Sequence, residues 1–306
     1  MTIAAFETAK FAKVNGTTLA YCEHGEGEPV VLVHGALGDL RIWQPQLPSI
    51  GSAYRAITYS RRYSRPNPEI SPGADDPWLT HVDDLAAFVR ELGAAPAHFV
   101  GNSQGAFISL LTAVRHPNVV RSLVLEEPPV IPLFVNSVPP GILELLRLIV
   151  TRPRIAFEIL KFGGGTIARV QKAFERGDDE EAMSIFIRGV LGEKYFERLT
   201  DARKTQAREN ISTLRAFTLG DSGFPPLDDD DVRGVGVPVL LLTGDDSPRL
   251  AHLMTDRLEE LLPNVERAGI PDASHDMHLD NPPAASEAIL GFLARFRGGS
   301  PPTSAT

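Results

Sequence analysis

Cysteine is nearly absent from this sequence, and its apolar runs are short. Cys22 is the only cysteine among 306 residues, which excludes an intramolecular disulfide and a cysteine-rich zinc site. A membrane-spanning helix needs about 20 consecutive apolar residues, and no stretch of the chain approaches that length. The first residues lack a basic start followed by an apolar run, so we find no secretory signal. We therefore expect a cytoplasmic protein without membrane association.

Basic residues are also outnumbered. The chain has 30 Lys and Arg against 39 Asp and Glu, which is a formal net charge of -9. This balance argues against nucleic acid or an anionic membrane surface as a partner, because both attract basic patches. Hydrophobic residues make up 43% of the chain and charged residues 23%, so disorder of the whole chain is ruled out. We expect a globular monomer or homodimer.

Short apolar runs recur along the chain and alternate with helical patterns. Asn15-Gly16 joins two β-like runs, 10–14 and 17–21, and this dipeptide is a strong hairpin signal. Continuous apolar runs, which suit parallel strands covered on both faces, lie at 29–35, 53–59, 98–101, 120–125 and 237–243. Helical spacing is found at 80–92, with Thr80 as its predicted cap, and at 106–115. The alternation predicts an α/β fold with a doubly wound, mostly parallel sheet.

The alternation stops after Pro128-Pro129 and resumes at Val237. In between, helix patterns lie at 141–150, 154–162 and 180–191, and Gly163 to Gly165 are predicted to form a loop. Asp228 to Asp231 predict a solvated turn rather than a metal site, because nothing nearby supplies further ligands. A helical block between two strands is typical of a lid over the sheet edge at which α/β proteins bind ligands.

These patterns divide the chain into three predicted parts. Residues 1–130 and 228–298 form an α/β core, residues 131–227 form the helical lid, and residues 299–306 form a disordered tail because their composition is of low complexity.

A G-x-S-x-G motif, Gly101-Asn102-Ser103-Gln104-Gly105, lies between a strand run and a helical pattern. In that setting the glycines allow strand and helix to approach closely around a sharp turn, which leaves the serine hydroxyl exposed. The motif predicts Ser103 as a nucleophile. The alternative is a glycine-rich turn in which Ser103 only caps the helix.

Together with this motif, four further segments resemble the α/β-hydrolase family over nearly the whole chain. They are His34-Gly35-Ala36-Leu37-Gly38, Tyr59-Ser60-Arg61-Arg62, the turn from Gly244 to Pro248, and Ser274-His275 ahead of a closing helix at 283–296. They match the family's oxyanion strand end, its second turn, the turn after its late strand and its catalytic histidine. The resemblance implies serine-type hydrolysis through an acyl-enzyme, with no cofactor and no metal.

A serine hydroxyl needs a base to become nucleophilic near neutral pH, and imidazole is the usual one. Of the eight histidines, His275 lies in a loop after the last strand-like segment, in the order Ser, acid, His that the fold dictates. His278, three residues later, is the alternative. His34 is usually structural in proteins of this family.

The identity of the acid in the catalytic triad is open. In most family members it is an Asp two or three residues past the glycine that ends the late strand, just before a Pro; here that residue is Ser247, preceded by Asp245 and Asp246. One subgroup of haloalkane dehalogenases and the zearalenone-type lactone hydrolases instead supply a Glu from the strand after the nucleophile helix, and Glu127 takes that position. We predict Glu127, with Asp246 and then Asp245 as alternatives.

The oxyanion hole is expected to consist of the backbone N–H groups of Ala36 and Gln104. We predict a cofactor-independent hydrolase of a carboxylic ester or lactone, and the Leu, Ile and Phe content of the lid favours an apolar small-molecule substrate. The alternatives are a C–C bond hydrolase, a lyase or cyclase on a dienoic or polyketide-like substrate, and a non-catalytic small-molecule receptor.

Two pairs of residues have open roles. Arg61-Arg62 could bind a substrate carboxylate, although arginines near a strand end more often pair with surface acids. Trp43 and Trp78 could line the mouth of a pocket, although core packing is the commoner role of tryptophan.

Overall fold

The computed structural model describes residues 7–71 and 73–297. Its strands are β1 (Lys10–Val14), β2 (Thr17–His24), β3 (Pro29–Val33), β4 (Arg55–Tyr59), β5 (Ala97–Asn102), β6 (Val120–Glu126), β7 (Val239–Gly244) and β8 (Val265–Ile270). They form one sheet in the order β1-β2-β4-β3-β5-β6-β7-β8. β2 pairs antiparallel with β1 and β4, and all other pairs are parallel. The predicted fold class, a doubly wound and mostly parallel α/β sheet, is confirmed.

The helices fall into three groups along the chain. Before β6 lie α1 (Leu47–Gly51), α2 (Trp78–Glu91) and α3 (Gln104–Arg115). Between β6 and β7 lie α4 (Ile142–Thr151), α5 (Pro153–Phe162), α6 (Ala168–Glu175), α7 (Asp179–Leu191), α8 (Glu193–Glu197), α9 (Asp201–Glu209), α10 (Ile211–Leu219) and α11 (Asp229–Arg233). After β7 lie α12 (Arg249–Leu261), α13 (Met277–Asp280) and α14 (Pro282–Leu293). Short 3-10 turns occur at Leu40–Trp43, Pro117–Val119, Ile131–Leu133 and Ala294–Phe296.

Alternating residues of the central strands enter two separate cores. Val31 and Val33 of β3 pack with Leu85 and Phe107 of α2 and α3 on one face of the sheet. Their neighbours Val30 and Leu32 pack on the other face, with residues of α14 among others. Because both faces are covered, every residue of β5 and β7 is buried, which explains why these strands read as continuous apolar runs.

Three local expectations are wrong: the start of α2, the loop at Gly163 to Gly165, and the turn at Asp228 to Asp231. Helix α2 begins at Trp78 after Pro77 rather than at a Thr80 cap, because Trp78 is buried in an aromatic cluster that includes Phe107 and fixes the first turn. Gly163 to Gly165 do not form a loop: Gly163–Ile167 is a π-helical turn that continues α5 into α6.

Packing between helices accounts for the π-helical turn. Thr166 is buried within it, and a Cβ added at Gly189 of α7 would come within 2.4 Å of the Thr166 side chain. The turn at Gly163–Ile167 and helix α7 are therefore in close contact, which holds the glycine segment in helical form.

Asp228 to Asp231, expected to be a turn, form the cap and first turn of α11. The Asp228 side chain accepts from the N–H groups of Asp230 and Asp231, and the Asp231 side chain accepts from the N–H of Asp228. This reciprocal capping box, together with the attraction of acids to a helix N-terminus, explains the helix. The predicted tail, residues 299–306, lies outside the described residues.

We call residues 131–227 the insertion, because they separate β6 from β7. It has a hydrophobic core of its own, into which Leu37 from the loop after β3 packs. That loop is also tied to the insertion through Asp39, which is fully buried. Asp39 accepts from Gln206 Nε2 and Asn210 Nδ2, both at 2.8 Å, and forms an ion pair with Arg41 at 2.6 Å.

The outer face of α4 is apolar and uncovered by the described residues. Ile142 and Val150 are 80% and 81% exposed, and Leu143, Leu146 and Ile149 between them are exposed as well. None of the described helices is both long and apolar enough to cross a bilayer.

Candidate active site

The site begins at the turn between β5 and α3. Ser103 has a φ of 51° and a ψ of -118°, a conformation that non-glycine residues seldom adopt. The glycines of the motif make the turn possible: a Cβ on Gly101 would lie 2.6 Å from Ala106 Cα, and one on Gly105 would lie 2.2 Å from Val33 O. The tight turn leaves Ser103 partly exposed at the carboxyl edge of the sheet.

His275 and Glu127 come together beside this turn. His275 Nδ1 lies 2.7 Å from Glu127 Oε2, and the Glu127 side chain is fully buried. Glu127 follows the end of β6 and has a φ of 46°. Its other oxygen, Oε1, accepts from the N–H of Gly244 at 3.0 Å, so the carboxylate is held between two strand ends and the histidine loop.

The alternative acids lie elsewhere. Asp246 Oδ2 accepts from Lys194 Nζ at 2.5 Å and from the Tyr195 hydroxyl at 2.6 Å, and its side chain is 41% exposed. The hydrogen bonds from Lys194 and Tyr195 lower the pKa of Asp246. Asp245 is exposed as well. Of the three candidate acids, Glu127 is therefore the one that the structure brings to His275.

The predicted oxyanion donors flank Ser103. A Cβ on Gly35, the residue before Ala36, would lie 3.2 Å from Ser103 Cβ, so the end of β3 touches the serine turn. Among residues 7–71 and 73–297, neither the N–H of Ala36 nor that of Gln104 is hydrogen-bonded to another protein group. Two free backbone donors next to a serine can stabilise a negatively charged oxygen.

Ser103, His275 and Ala36 line one narrow cleft with room for about 20 Å³, little more than a water molecule. Much of the remaining lining comes from one face of α7, namely Phe186, Ile187, Val190 and Leu191. Within the described residues, no hydrogen bond joins the Ser103 hydroxyl to another group. Such contacts often tighten only when substrate binds.

The electrostatics of the cleft favour a charged imidazole. Burial lowers the pKa of His275, but its hydrogen bond to Glu127 and the negative charge of that carboxylate raise it, and the net pKa lies above its usual 6.5. Asp276, also in the cleft, has the opposite balance. Burial raises the pKa of Asp276, but the positive charge of Arg203, 3.6 Å away, outweighs this effect, so the net pKa is lowered.

His278, the alternative base, belongs to a second histidine–carboxylate pair inside the core. Its Nδ1 lies 2.7 Å from Glu126 Oε2, both side chains are fully buried, and its ring stacks on Trp43 at 4.3 Å. Asn102 joins this pair to the site, donating to Glu126 Oε2 at 3.3 Å and to the backbone oxygen of His275 at 2.9 Å. The cleft thus receives His275, whereas His278 lies behind it.

The remaining singled-out residues are structural in position. Trp43 and Trp78 are both buried in the core rather than at a pocket mouth. His34 is fully buried. Arg62 forms an ion pair with Asp84 at 2.8 Å, whereas Arg61 is buried behind the Ala36 loop.

Sequence reasoning missed several residues of the cleft. Arg203, Asp276 and the apolar face of α7 were not singled out, although all of them line it. Asp276 follows His275 directly, so its place could have been inferred, but no local pattern marks Arg203. In the described part of the chain, no group of three or more His, Cys, Asp or Glu side chains is arranged to hold a metal ion.

A mostly parallel sheet with a serine on a strand-to-helix turn, a buried histidine–carboxylate pair and an insertion after β6 defines the α/β-hydrolase class of proteins. The chain belongs to the alpha/beta hydrolase fold family, whose model matches residues 28–282. The resemblance predicted from its motifs is confirmed.

Relatives and solved structures agree with this assignment. The Mycobacterium tuberculosis protein named "Putative non-heme bromoperoxidase BpoC" is 40% identical over 291 residues, covering 91% of this chain and 98% of that protein. An (E)-2-((N-methylformamido)methylene)succinate hydrolase from Acinetobacter baylyi is 22% identical over 285 residues, covering 91% and 95%. The crystal structure of carboxylesterase CesB from Bacillus subtilis has a TM-score of 0.69 and 20% identity, covering 95% and 92%. That last likeness concerns the fold.

Proposed function

We propose that this protein is a serine hydrolase of apolar carboxylic esters or lactones that works through an acyl-enzyme on Ser103. The observation that carries the proposal is the 2.7 Å contact of His275 Nδ1 with a buried Glu127 carboxylate. A carboxylate on Nδ1 fixes the proton there and leaves Nε2 as the base, and it stabilises the imidazolium that forms when Nε2 takes a proton.

In the proposed reaction, Ser103 Oγ attacks the substrate carbonyl carbon while its proton passes to Nε2 of His275. The carbonyl oxygen becomes an oxyanion that accepts hydrogen bonds from the N–H groups of Ala36 and Gln104. Collapse of this intermediate breaks the bond to the alcohol, which takes the proton from His275, and leaves the acyl group on Ser103. Water then attacks the acyl-enzyme with His275 as base, and the acid is released.

The lining of the cleft supports an apolar acyl group. Phe186, Ile187, Val190 and Leu191 form one wall. Arg203 and Asp276, which also line the cleft, lie 3.6 Å apart as an ion pair. A space of about 20 Å³ cannot hold an ester. We therefore extend the proposal to the insertion, which acts as a lid: α7 moves away from Ser103 to admit substrate.

The test is intact mass spectrometry after exposure to a fluorophosphonate, beside a panel of p-nitrophenyl esters and lactones. We expect one adduct, mapped to Ser103, and turnover of at least one panel member. Ser103→Ala should abolish both, whereas the control Ser71→Ala, at an exposed position, should change neither.

The outcomes separate the candidate functions. An unlabelled wild-type protein, or activity of Ser103→Ala within tenfold of wild type, would overturn the proposal. Labelling of Ser103 without turnover of any ester or lactone would favour a C–C bond substrate or a receptor.

A further inference from the structure

Arg61 is a buried cation beside the serine turn. Its side chain is 2% exposed, and its guanidinium donates to three uncharged oxygens: His34 O at 3.2 Å, Gly35 O at 3.2 Å and Gln104 Oε1 at 2.8 Å. No ion pair within residues 7–71 and 73–297 includes it. Burial lowers its pKa, partly offset by the charge of Asp76. A buried charge without a paired charge is costly, so its presence calls for an explanation.

The contact with Gly35 O explains one half of the predicted oxyanion hole. Gly35 O and the N–H of Ala36 belong to the same peptide group, and in a trans peptide they point in opposite directions. Donation from Arg61 to Gly35 O therefore fixes the direction of the Ala36 N–H and polarises it, because hydrogen bonds on the two ends of one peptide strengthen each other.

His34 acts on the same carbonyl. The backbone N–H of Arg61 donates to His34 Nε2 at 2.9 Å, which places the imidazole proton on Nδ1, 2.8 Å from Gly35 O. Burial and the charge of Arg61 hold the pKa of His34 well below 6.5, so the ring stays neutral. Gly35 O thus accepts from two donors, both fixed by Arg61.

The third contact reaches the other half of the hole. Gln104 supplies the second backbone N–H, and its side-chain oxygen is held by Arg61 at 2.8 Å. One guanidinium therefore joins the loop after β3 to the first residue of α3.

We propose that Arg61 is a positioning residue of the oxyanion hole, which aligns and polarises the Ala36 and Gln104 donors. Its unpaired positive charge stabilises negative charge that develops on the substrate oxygen. This inference rests on the proposed function, because an oxyanion forms only if Ser103 attacks a carbonyl. The interaction is weaker while the substrate carbonyl is neutral, so it lowers the barrier more than it strengthens substrate binding.

A direct role in binding a substrate carboxylate does not fit the geometry. Arg61 is absent from the lining of the cleft, and its guanidinium is occupied by His34, Gly35 and Gln104. The hypothesis that Arg61 binds a substrate carboxylate is therefore replaced by one in which it acts through the backbone.

The test compares Arg61→Lys and Arg61→Gln with wild type on the p-nitrophenyl ester that is turned over fastest. We expect kcat to fall about 100-fold or more in Arg61→Gln and about 10-fold in Arg61→Lys, which keeps the charge but loses the fork of donors. KM should stay within about threefold. A trifluoromethyl ketone, whose adduct with Ser103 carries an oxyanion, should bind more weakly by the same factor by which kcat/KM falls.

Arg62→Gln is the matched control. Arg62 donates to Asp84 at 2.8 and 2.9 Å, away from the hole, so this variant should lose thermal stability while the folded enzyme keeps its kcat. Arg61 variants with kcat within threefold of wild type, or with KM and inhibitor affinity changed alike, would overturn the inference. Should Arg61→Gln not fold, Arg61→Lys decides alone. A wild type that neither labels nor turns over would instead overturn the proposed function, and this inference with it.

Discussion

At the scale of single residues, the site relies on backbone conformations that most side chains avoid. Ser103 and Glu127 have φ values of 51° and 46°, and such strain costs about 1–3 kcal/mol at each residue. It persists because both residues are tied to neighbouring strands: Ser103 N donates to Glu126 O at 2.7 Å, and Glu127 Oε1 accepts from Gly244 N at 3.0 Å. The positions of these two candidate catalytic residues are therefore set by the sheet.

The first prediction concerns the acid. Glu127→Gln should lower kcat about 10³- to 10⁴-fold, because an amide cannot stabilise the imidazolium and favours the wrong tautomer of His275. Asp246→Asn should change kcat less than threefold, since Asp246 is bonded to Lys194 and Tyr195. Steady-state kinetics on one ester decides between them. A large loss in Asp246→Asn with a small one in Glu127→Gln would move the acid to the turn after β7.

The second prediction concerns pH. The base must be neutral to accept the Ser103 proton, so kcat/KM should rise with pH through the pKa of His275, which lies above 6.5 because of Glu127. In Glu127→Gln the charge that raises this pKa is lost, so the acid limb of the residual activity should move to lower pH. A pH–rate profile of both proteins measures the shift. An unmoved limb would show that Glu127 does not set the pKa of the base.

Residue by residue, the sequence was informative where a motif carries the chemistry. Ser103 and His275 were singled out from local patterns, and their roles stay predictions for the labelling experiment. The family resemblance, aligned on the preceding strand, selected Glu127 rather than its neighbour Glu126. In the structure, Glu126 contacts His278 and Glu127 contacts His275. These contacts depend on the fold and cannot be inferred from the neighbouring sequence. Arg61 was singled out as a possible carboxylate binder, but no local pattern indicated its contacts with His34 O, Gly35 O and Gln104 Oε1.

At the scale of secondary-structure elements, α7 forms one wall of the cleft that contains Ser103. Phe186 is the bulkiest residue that it contributes to the cleft.

The third prediction follows from this position. Phe186→Ala should raise kcat/KM for long-chain p-nitrophenyl esters about 10-fold, with little change for the acetate, because removing the ring makes room for additional methylenes. Phe157→Ala, which removes a 64% exposed ring from α5, is the control and should leave the chain-length profile unchanged. An unchanged profile in Phe186→Ala would mean that the acyl group does not enter beneath α7.

Strands and helices could be predicted from the sequence where burial produces a clear pattern of apolar residues. The strands with both faces covered were recognised as mostly apolar runs, although polar residues such as Arg121 and Ser122 of β6 lie within them. The glycine segment from Gly163 was not recognised as helical, because glycine has a low helix propensity and the packing of Thr166 against α7 overrides it.

At the scale of the whole molecule, Asp39 joins the sheet to the insertion. It is fully buried and accepts from Arg41, Gln206 and Asn210.

The fourth prediction tests this junction. Asp39→Asn should lower the free energy of unfolding by about 3–5 kcal/mol, because the buried Arg41 loses its fully buried charge partner and keeps the partly exposed Glu209. Urea denaturation measures the change, and Asp221→Asn, at an exposed position, should stay within about 0.5 kcal/mol of wild type. A small effect of Asp39→Asn would mean that Glu209, 2.5 Å from Arg41, compensates the charge.

The overall architecture was predictable because alternation of strand and helix patterns is repeated along the chain. The docking of the insertion was not, since Asp39 and its partners Gln206 and Asn210 are separated by 167 and 171 positions. No local period encodes a contact of that range.

The same separation sets an order of assembly during synthesis. A ribosome adding about 5–20 residues per second needs roughly 10–35 s to pass from Asp39 to Asn210, a distance of 171 positions. During that interval Asp39, in the loop that carries Ala36, has been synthesised, but its partner Asn210 has not. We therefore expect truncated chains that end before residue 200 to be cleaved by protease within the 34–44 segment, and full-length chains to be protected there.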